Sequence, residues 1–151
     1  MSDACNIFVA GFIGTPQMNF INGVLNKKDD GLYFDFEGVS VKIPGDKADA
    51  PELADYIGQE VVLGIRPEGI NDDANVVAAN AETKTVLDVD VDVVELMGAE
   101  IYLYLNIGET NLIARVSARS TSRGGDKIKV AFDMSRVHIF DKDTERCVMH
   151  L

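Results

Sequence analysis

Basic residues are scarce. Only 14 Lys and Arg stand against 25 Asp and Glu in 151 residues, a formal net charge of −11. A field of that sign repels phosphate backbones and anionic lipid, which argues against nucleic acid and membrane surfaces as partners. Cysteine and histidine number two each, so zinc-ligand spacing is absent. The same shortage leaves no Ser-His-Asp or Cys-His arrangement to argue from. No Gly-rich loop ends in Lys-Ser/Thr, so the phosphate cradle of a P-loop is missing. Long hydrophobic runs are missing too. The apolar stretch from Phe8 to Phe20 is broken by Gly11, Gly14 and Pro16 and is too short to span a bilayer. Ser2 and Asp3 stand where a secretory signal would carry basic residues. The expectation is a cytoplasmic protein in which Cys5 and Cys147 are reduced, free thiols.

What is present is an ordinary globular composition, 46% hydrophobic and 26% charged, long enough for one domain or two small ones. Period-two alternation recurs throughout. Leu32, Phe34 and Phe36 alternate with Tyr33 and Asp35. Val39, Val41 and Ile43 alternate with Ser40 and Lys42, and Gly38 between the runs predicts a hairpin. In "VLDVDVDVVEL", Leu87, Val89, Val91 and Val93 point one way and Asp88, Asp90 and Asp92 the other, the pattern of a half-buried strand with one wet face. Gly98 turns it into "EIYLYLNIG", and "NLIARV", "KIKVAF", "VHIF" and a last short strand through Cys147 follow. One helix is expected, over "DAPELADYIG", with Asp49 near its cap, Pro51 in the first turn and Gly58 past its end. "NDDANVVAANAETK" is polar, lacks alternation and reads as a boundary between two barrel halves. Many short strands with Gly turns make an all-β barrel or sandwich.

Several side-chain groupings invite a functional reading. Asp88, Asp90 and Asp92 lie roughly 6.5 Å apart along a strand, too far to share one cation, and are expected to be a solvated face. "DKDTE", Asp141 to Glu145, lacks the Gly and the terminal Glu of a calcium loop and is expected to be a turn. His138 is expected to be a strand residue with a hydrogen-bonded ring. Arg66 and Glu68 around Pro67 could pair and order that turn. Ser120, Thr121, Ser122 and Arg123, with Arg119 beside them, could form an anion loop, against the plainer reading of a polar connection. None of these is a catalytic constellation.

Three segments taken in order carry more. "NIFVAGFIGTPQMNFINGVL", "VVLGIRPEGI" and "VDVVELMGAEIYLYL … LIARVSARSTSRGGDKIKVAFDMSRVHIFDKDT" resemble the C-terminal regulatory region of the ATPase subunit of carbohydrate-importing ABC transporters, the maltose and glycerol-phosphate importer type. The likeness runs from about Asn6 to Thr144. Gly69 departs from it, since the family commonly has a polar residue there. The resemblance implies an all-β, OB-like/TOBE β-barrel with one short helix. It implies one regulatory domain over 1–151 in two interwoven parts, an OB-like part over 6–82 and a TOBE part over 83–151. The ATPase domain, with its ATP and Mg, would lie ahead of it, and Met1 to Ala4 reads as the start of an excised piece. It implies a regulatory and dimerisation role without chemistry, cofactor or metal in this chain. The partners implied are its own ATPase domain, a second copy of the subunit, the membrane permease and docking regulatory proteins. The parent complex would sit in the cytoplasm against the inner membrane. Phe8, Phe12, Ile13, Pro16 and Met18 would pack the start of the barrel and its joint with the ATPase domain. Related TOBE barrels bind small oxyanions such as molybdate. That gives the alternative reading of an oxyanion-binding TOBE module using Ser120, Thr121, Ser122 and Arg123.

Overall fold

The computed structural model describes residues 17–151. Two antiparallel sheets make up a nearly closed barrel. The first contains β1 (Asn19–Lys28), β2 (Gly31–Phe36), β3 (Val39–Lys42), β4 (Glu60–Ile65), β10 (Val137–Asp141) and β11 (Cys147–His150), in the order β11-β10-β4-β1-β2-β3. The second contains β5 (Ile70–Asn71), β6 (Val86–Leu96), β7 (Glu100–Ile107), β8 (Thr110–Ser117) and β9 (Lys127–Phe132), in the order β5-β9-β6-β7-β8. The last two strands of the chain thus return to the sheet begun by β1, and the two halves of the sequence are threaded through each other.

The expected hairpin is β2–β3. Its turn places Glu37 at φ 51° and Gly38 at φ 78°, the pair of positive values that a two-residue turn between right-twisting strands requires. Leu32, Phe34 and Phe36 face the core, and Tyr33, expected on the wet side, is buried as well. β4 is buried on both faces. Val61, Leu63 and Ile65 enter the main core, while Val62 joins Met18 and Phe140 in a second cluster on the outer face. A strand of sequence "EVVLGI", not predicted as one from the sequence, needs that continuous apolar run because neighbours cover it on both sides.

β6 alternates as expected up to Val91 and then departs. Its register against β7 shifts between Val91 and Val93. Val93, expected inside, is 51% exposed. A one-residue slip sends every following side chain to the other face. The cause is the loop before β9, which hooks onto the strand: Val91 N–H donates to Asp126 O at 2.8 Å, and Gly125 N–H to Val91 O at 2.7 Å.

The single helix expected from Asp49 is not formed. Two four-residue turns stand there, α1 (Gly45–Ala48) and α2 (Pro51–Ala54), separated by Ala50 in an extended conformation at ψ 134°. The residue ahead of a proline is driven out of the helical region, so Pro51 restarts the helix rather than extending it. A further helix, α3 (Ala74–Ala79), lies inside the segment read as a boundary between two barrel halves. Its cap is Asp73, whose carboxylate accepts from the Asn75 and Val76 N–H groups, a local signal strong enough to start a helix in a polar stretch.

Candidate functional site

The loop joining β8 to β9 carries the residues read as an anion loop, and the structure places them against the connection that leaves β5. Ser120 and Ser122 both donate their hydroxyls to Oδ2 of Asp72, the latter at 2.8 Å. Ser122 N–H turns back onto Ser120 Oγ at 3.2 Å. Arg123 N–H donates to the Asp126 carboxylate at 2.9 Å and closes the far side of the loop. Thr121 lines the clefts on either side of this contact. The hydroxyls that an oxyanion would use are therefore held by a carboxylate of the chain itself. Sequence reasoning missed Asp72. "NDD" announces an Asx turn, seen as Asp73 N–H donating to Asn71 Oδ1 at 2.9 Å. Its meeting with residues 48 and 50 positions away is set by the barrel alone.

A larger cleft of about 750 Å³ lies where the two sheets meet, between β3 and α1 on one side and β5, α3 and β9 on the other. Lys42, Glu68, Asn80, Thr83 and Arg136 are among its lining residues. Glu68 sits in the 3-10 turn Pro67–Gly69. Its ion-pair neighbour is Arg115 at 4.0 Å, and Arg115 also meets Glu100 at 3.2 Å.

Of the residues read as a joint, Met18 is 4% exposed and packs with Val62 and Phe140. Phe8, Phe12, Ile13 and Pro16 lie outside the described residues, as does Cys5. Cys147 is half-buried and packs against the cluster of Met18, Val62 and Phe140. Asp88 and Asp90 form a solvated face that is paired across the sheet, to Lys129 at 2.8 Å and Lys127 at 2.7 Å. Asp141 organises the turn after β10, where its Oδ1 accepts from the Asp143 and Thr144 N–H groups. These bonds and the Tyr56 hydroxyl at 2.7 Å hold its carboxyl below the usual carboxylate range. Among the described residues no three His, Cys, Asp or Glu side chains gather as a metal would need. No helix among them is long and apolar enough to cross a membrane.

His138 departs from its expected role. Its Nδ1 is buried without a hydrogen-bond partner, and the ring stacks on that of His150 instead. Burial, the neighbouring His150 and the Arg66 charge lower its pKa to about 4.

Two family models match the chain: a MalK OB fold domain over residues 14–70 and a TOBE domain over residues 81–139. The chain is 41% identical over 140 residues to the oligosaccharides import ATP-binding protein MsmX of Bacillus subtilis, covering 93% of this chain and 37% of the relative. It is 34% identical over 143 residues to the trehalose/maltose import ATP-binding protein MalK of Thermococcus litoralis, covering 95% and 37%. The multiple sugar-binding transport ATP-binding protein MsmK of Streptococcus mutans is 33% identical over the same length, 143 residues. The chain thus spans just over a third of the length of these relatives, 37% in each case. Among solved structures, the molybdate-bound form of the cytoplasmic molybdate-binding protein ModG aligns with a TM-score of 0.55 at 15% identity, covering 85% of this chain and 97% of that one. At that identity the likeness is one of fold.

Proposed function

We propose that this chain, which belongs to the MalK OB fold and TOBE families found in sugar-importer ATP-binding subunits, is the regulatory and dimer-forming part of such a subunit and performs no chemistry. The observation that carries this reading is the order and span of the likeness. The OB fold match precedes the TOBE match, and the importer relatives align over 93–95% of the chain. In the parent subunit an ATPase domain would bind ATP and Mg, close on a second copy and drive the permease. The regulatory parts would hold the two copies together through that cycle, in the cytoplasm against the inner membrane, and offer regulatory proteins a place to dock.

A contact role needs an apolar surface, and one is exposed. At the tip of the β6–β7 hairpin, Val93, Leu96 and Met97 are 51%, 77% and 50% exposed. Where such groups form a contiguous patch they mark an interaction face. Two copies also bring together −22 charges, twice the −11 of one chain, so apolar burial has to offset the repulsion. Sedimentation equilibrium tests the reading. We expect a weak dimer with a Kd in the micromolar range or weaker, about −8 kcal/mol or smaller in magnitude. It should tighten as salt rises from about 0.01 to 0.15 M and the screening length falls from about 30 to 8 Å. A strict monomer at hundreds of micromolar would remove the dimer-forming role from this chain.

A further inference from the structure

The connection from β5 to β6 crosses the surface as a strap. None of the α3 residues within it is buried, and clefts border it on three sides. Two of these clefts share a wall. One, about 650 Å³, lies beneath the helix, with Val77 and Ala78 of the helix and Ala81 above and the strand residues Val86 and Ile128 as its apolar floor. The other, about 560 Å³, opens beside it next to Arg115 and Arg119. Asp72, Ala74, Thr121 and Ser122 line both. The wall is closed by the Asp72 carboxylate accepting the hydroxyls of Ser120 and Ser122.

We propose that Asp72 is a displaceable stand-in for the carboxylate of a small organic acid with a short apolar tail, which binds across the two clefts once this contact opens. The incoming carboxylate takes the Ser120 and Ser122 hydroxyls. Arg119, which has no ion-pair partner among the described residues, stands in the same cleft. The tail lies between Val77 of the helix and the floor formed by Val86 and Ile128. Three properties of the site support this. The loop already recognises a carboxylate, so the donors have the right type and number. The floor offers apolar surface that gains about 25 cal/mol for each Å² removed from water. The strap can lift at small cost, because its helix contributes nothing to the core, and a site of this kind is a minor conformation made dominant by its ligand. An inorganic oxyanion would satisfy the hydroxyls and leave the floor wet. A neutral alcohol would do the reverse. Both halves are required, and the inference is independent of the dimer.

A 1H–15N NMR titration of the chain with sodium hexanoate tests it, with 1-hexanol and sodium sulfate as comparators at matched ionic strength. We expect hexanoate to shift the amides of Ser120, Ser122, Val77 and Ile128 together and to saturate in the millimolar range, with each comparator at least about tenfold weaker. Asp72→Asn removes the competing charge and should tighten hexanoate binding about tenfold. Val77→Asp charges the apolar cleft and should abolish binding while the resonances of the β-strands stay in place. Absence of a saturable shift in both the wild type and Asp72→Asn, sulfate binding as well as hexanoate, or weaker binding to Asp72→Asn would each overturn the proposal. Should Asp72→Asn fail to fold, the wild-type comparison and Val77→Asp decide.

Discussion

Asn19 and Ile113, 94 positions apart, are joined by two hydrogen bonds of a single side chain: Asn19 Nδ2 donates to Ile113 O at 2.9 Å, and Ile113 N–H donates to Asn19 Oδ1 at 2.9 Å. The amide thereby imitates a strand partner for β8, the edge of the second sheet, from β1 in the first. Asn19 is one of two buried polar or charged residues among those described, with Thr85, and both functions of its amide are satisfied.

Replacing it tests whether this side chain joins the sheets. Asn19→Ala leaves the backbone N–H and C=O of Ile113 without their partner, and each such buried loss costs about 1–3 kcal/mol. We expect a loss of about 2–4 kcal/mol in urea unfolding. Hydrogen exchange at Ile113 should accelerate more than at Leu103, which is held on both sides by strands. A loss below about 0.5 kcal/mol would show that water replaces the amide at no cost.

The imidazole of His138, stacked on that of His150 at 4.1 Å between centroids, makes stability depend on pH. His138 has its pKa lowered from 6.5 to about 4 in the folded chain. Between those values the unfolded chain binds a proton that the folded one does not, so stability falls as pH falls from about 6.5 toward 4. Discounted for the partial exposure of the ring, the loss is about 1–2 kcal/mol. His138→Phe should flatten the dependence over that window. An unchanged pH profile in the variant would assign the loss to other groups.

Gly64 is where β4 makes room for the outer cluster. A Cβ there would stand 2.5 Å from Met18 Sδ and 2.8 Å from Phe140 Cε2. Gly64→Val should therefore destabilise by about 2–3 kcal/mol or more, with Met18 and Phe140 displaced. Thermal unfolding measures this, and an unshifted midpoint would mean that the cluster yields freely.

The paired aspartates of β6 should matter little. Asp88–Lys129 and Asp90–Lys127 are exposed, with side-chain exposures of 79% and 63%, and of 54% and 85%. Pairs in such surroundings contribute about 0–1 kcal/mol and are screened by salt. Lys127→Ala with Lys129→Ala should cost less than about 1.5 kcal/mol together, and less again in 1 M salt. A larger, salt-insensitive loss would show these lysines to be part of the packing.

Calorimetry with ATP addresses the chemistry. No phosphate-cradling loop is present in the sequence, so saturable ATP binding at micromolar strength is not expected. Its appearance would contradict the non-catalytic role.

The sequence by itself determined β2, β3 and β6 to β11, while β1, β4 and β5 were not legible in it as strands. Alternation in "VLDVDV" can be satisfied in one way only, because a period of two separates wet from dry faces in a strand and in no helix. It also determined the family, because "LGIRPE" and the segments around it are specific in kind and order. The tertiary structure decided what depends on partners distant along the chain. The bulge that exposes Val93 is set by the loop at Asp126. The stacking of the His138 ring on His150 is set by β11. The carboxylate that fills the serine loop comes from Asp72, 48 residues before Ser120. Local preferences act over a few residues and can be read in order. Which side chains meet across a barrel depends on the register of sheets whose strands pair out of sequence order, and that register is fixed only when the whole core closes.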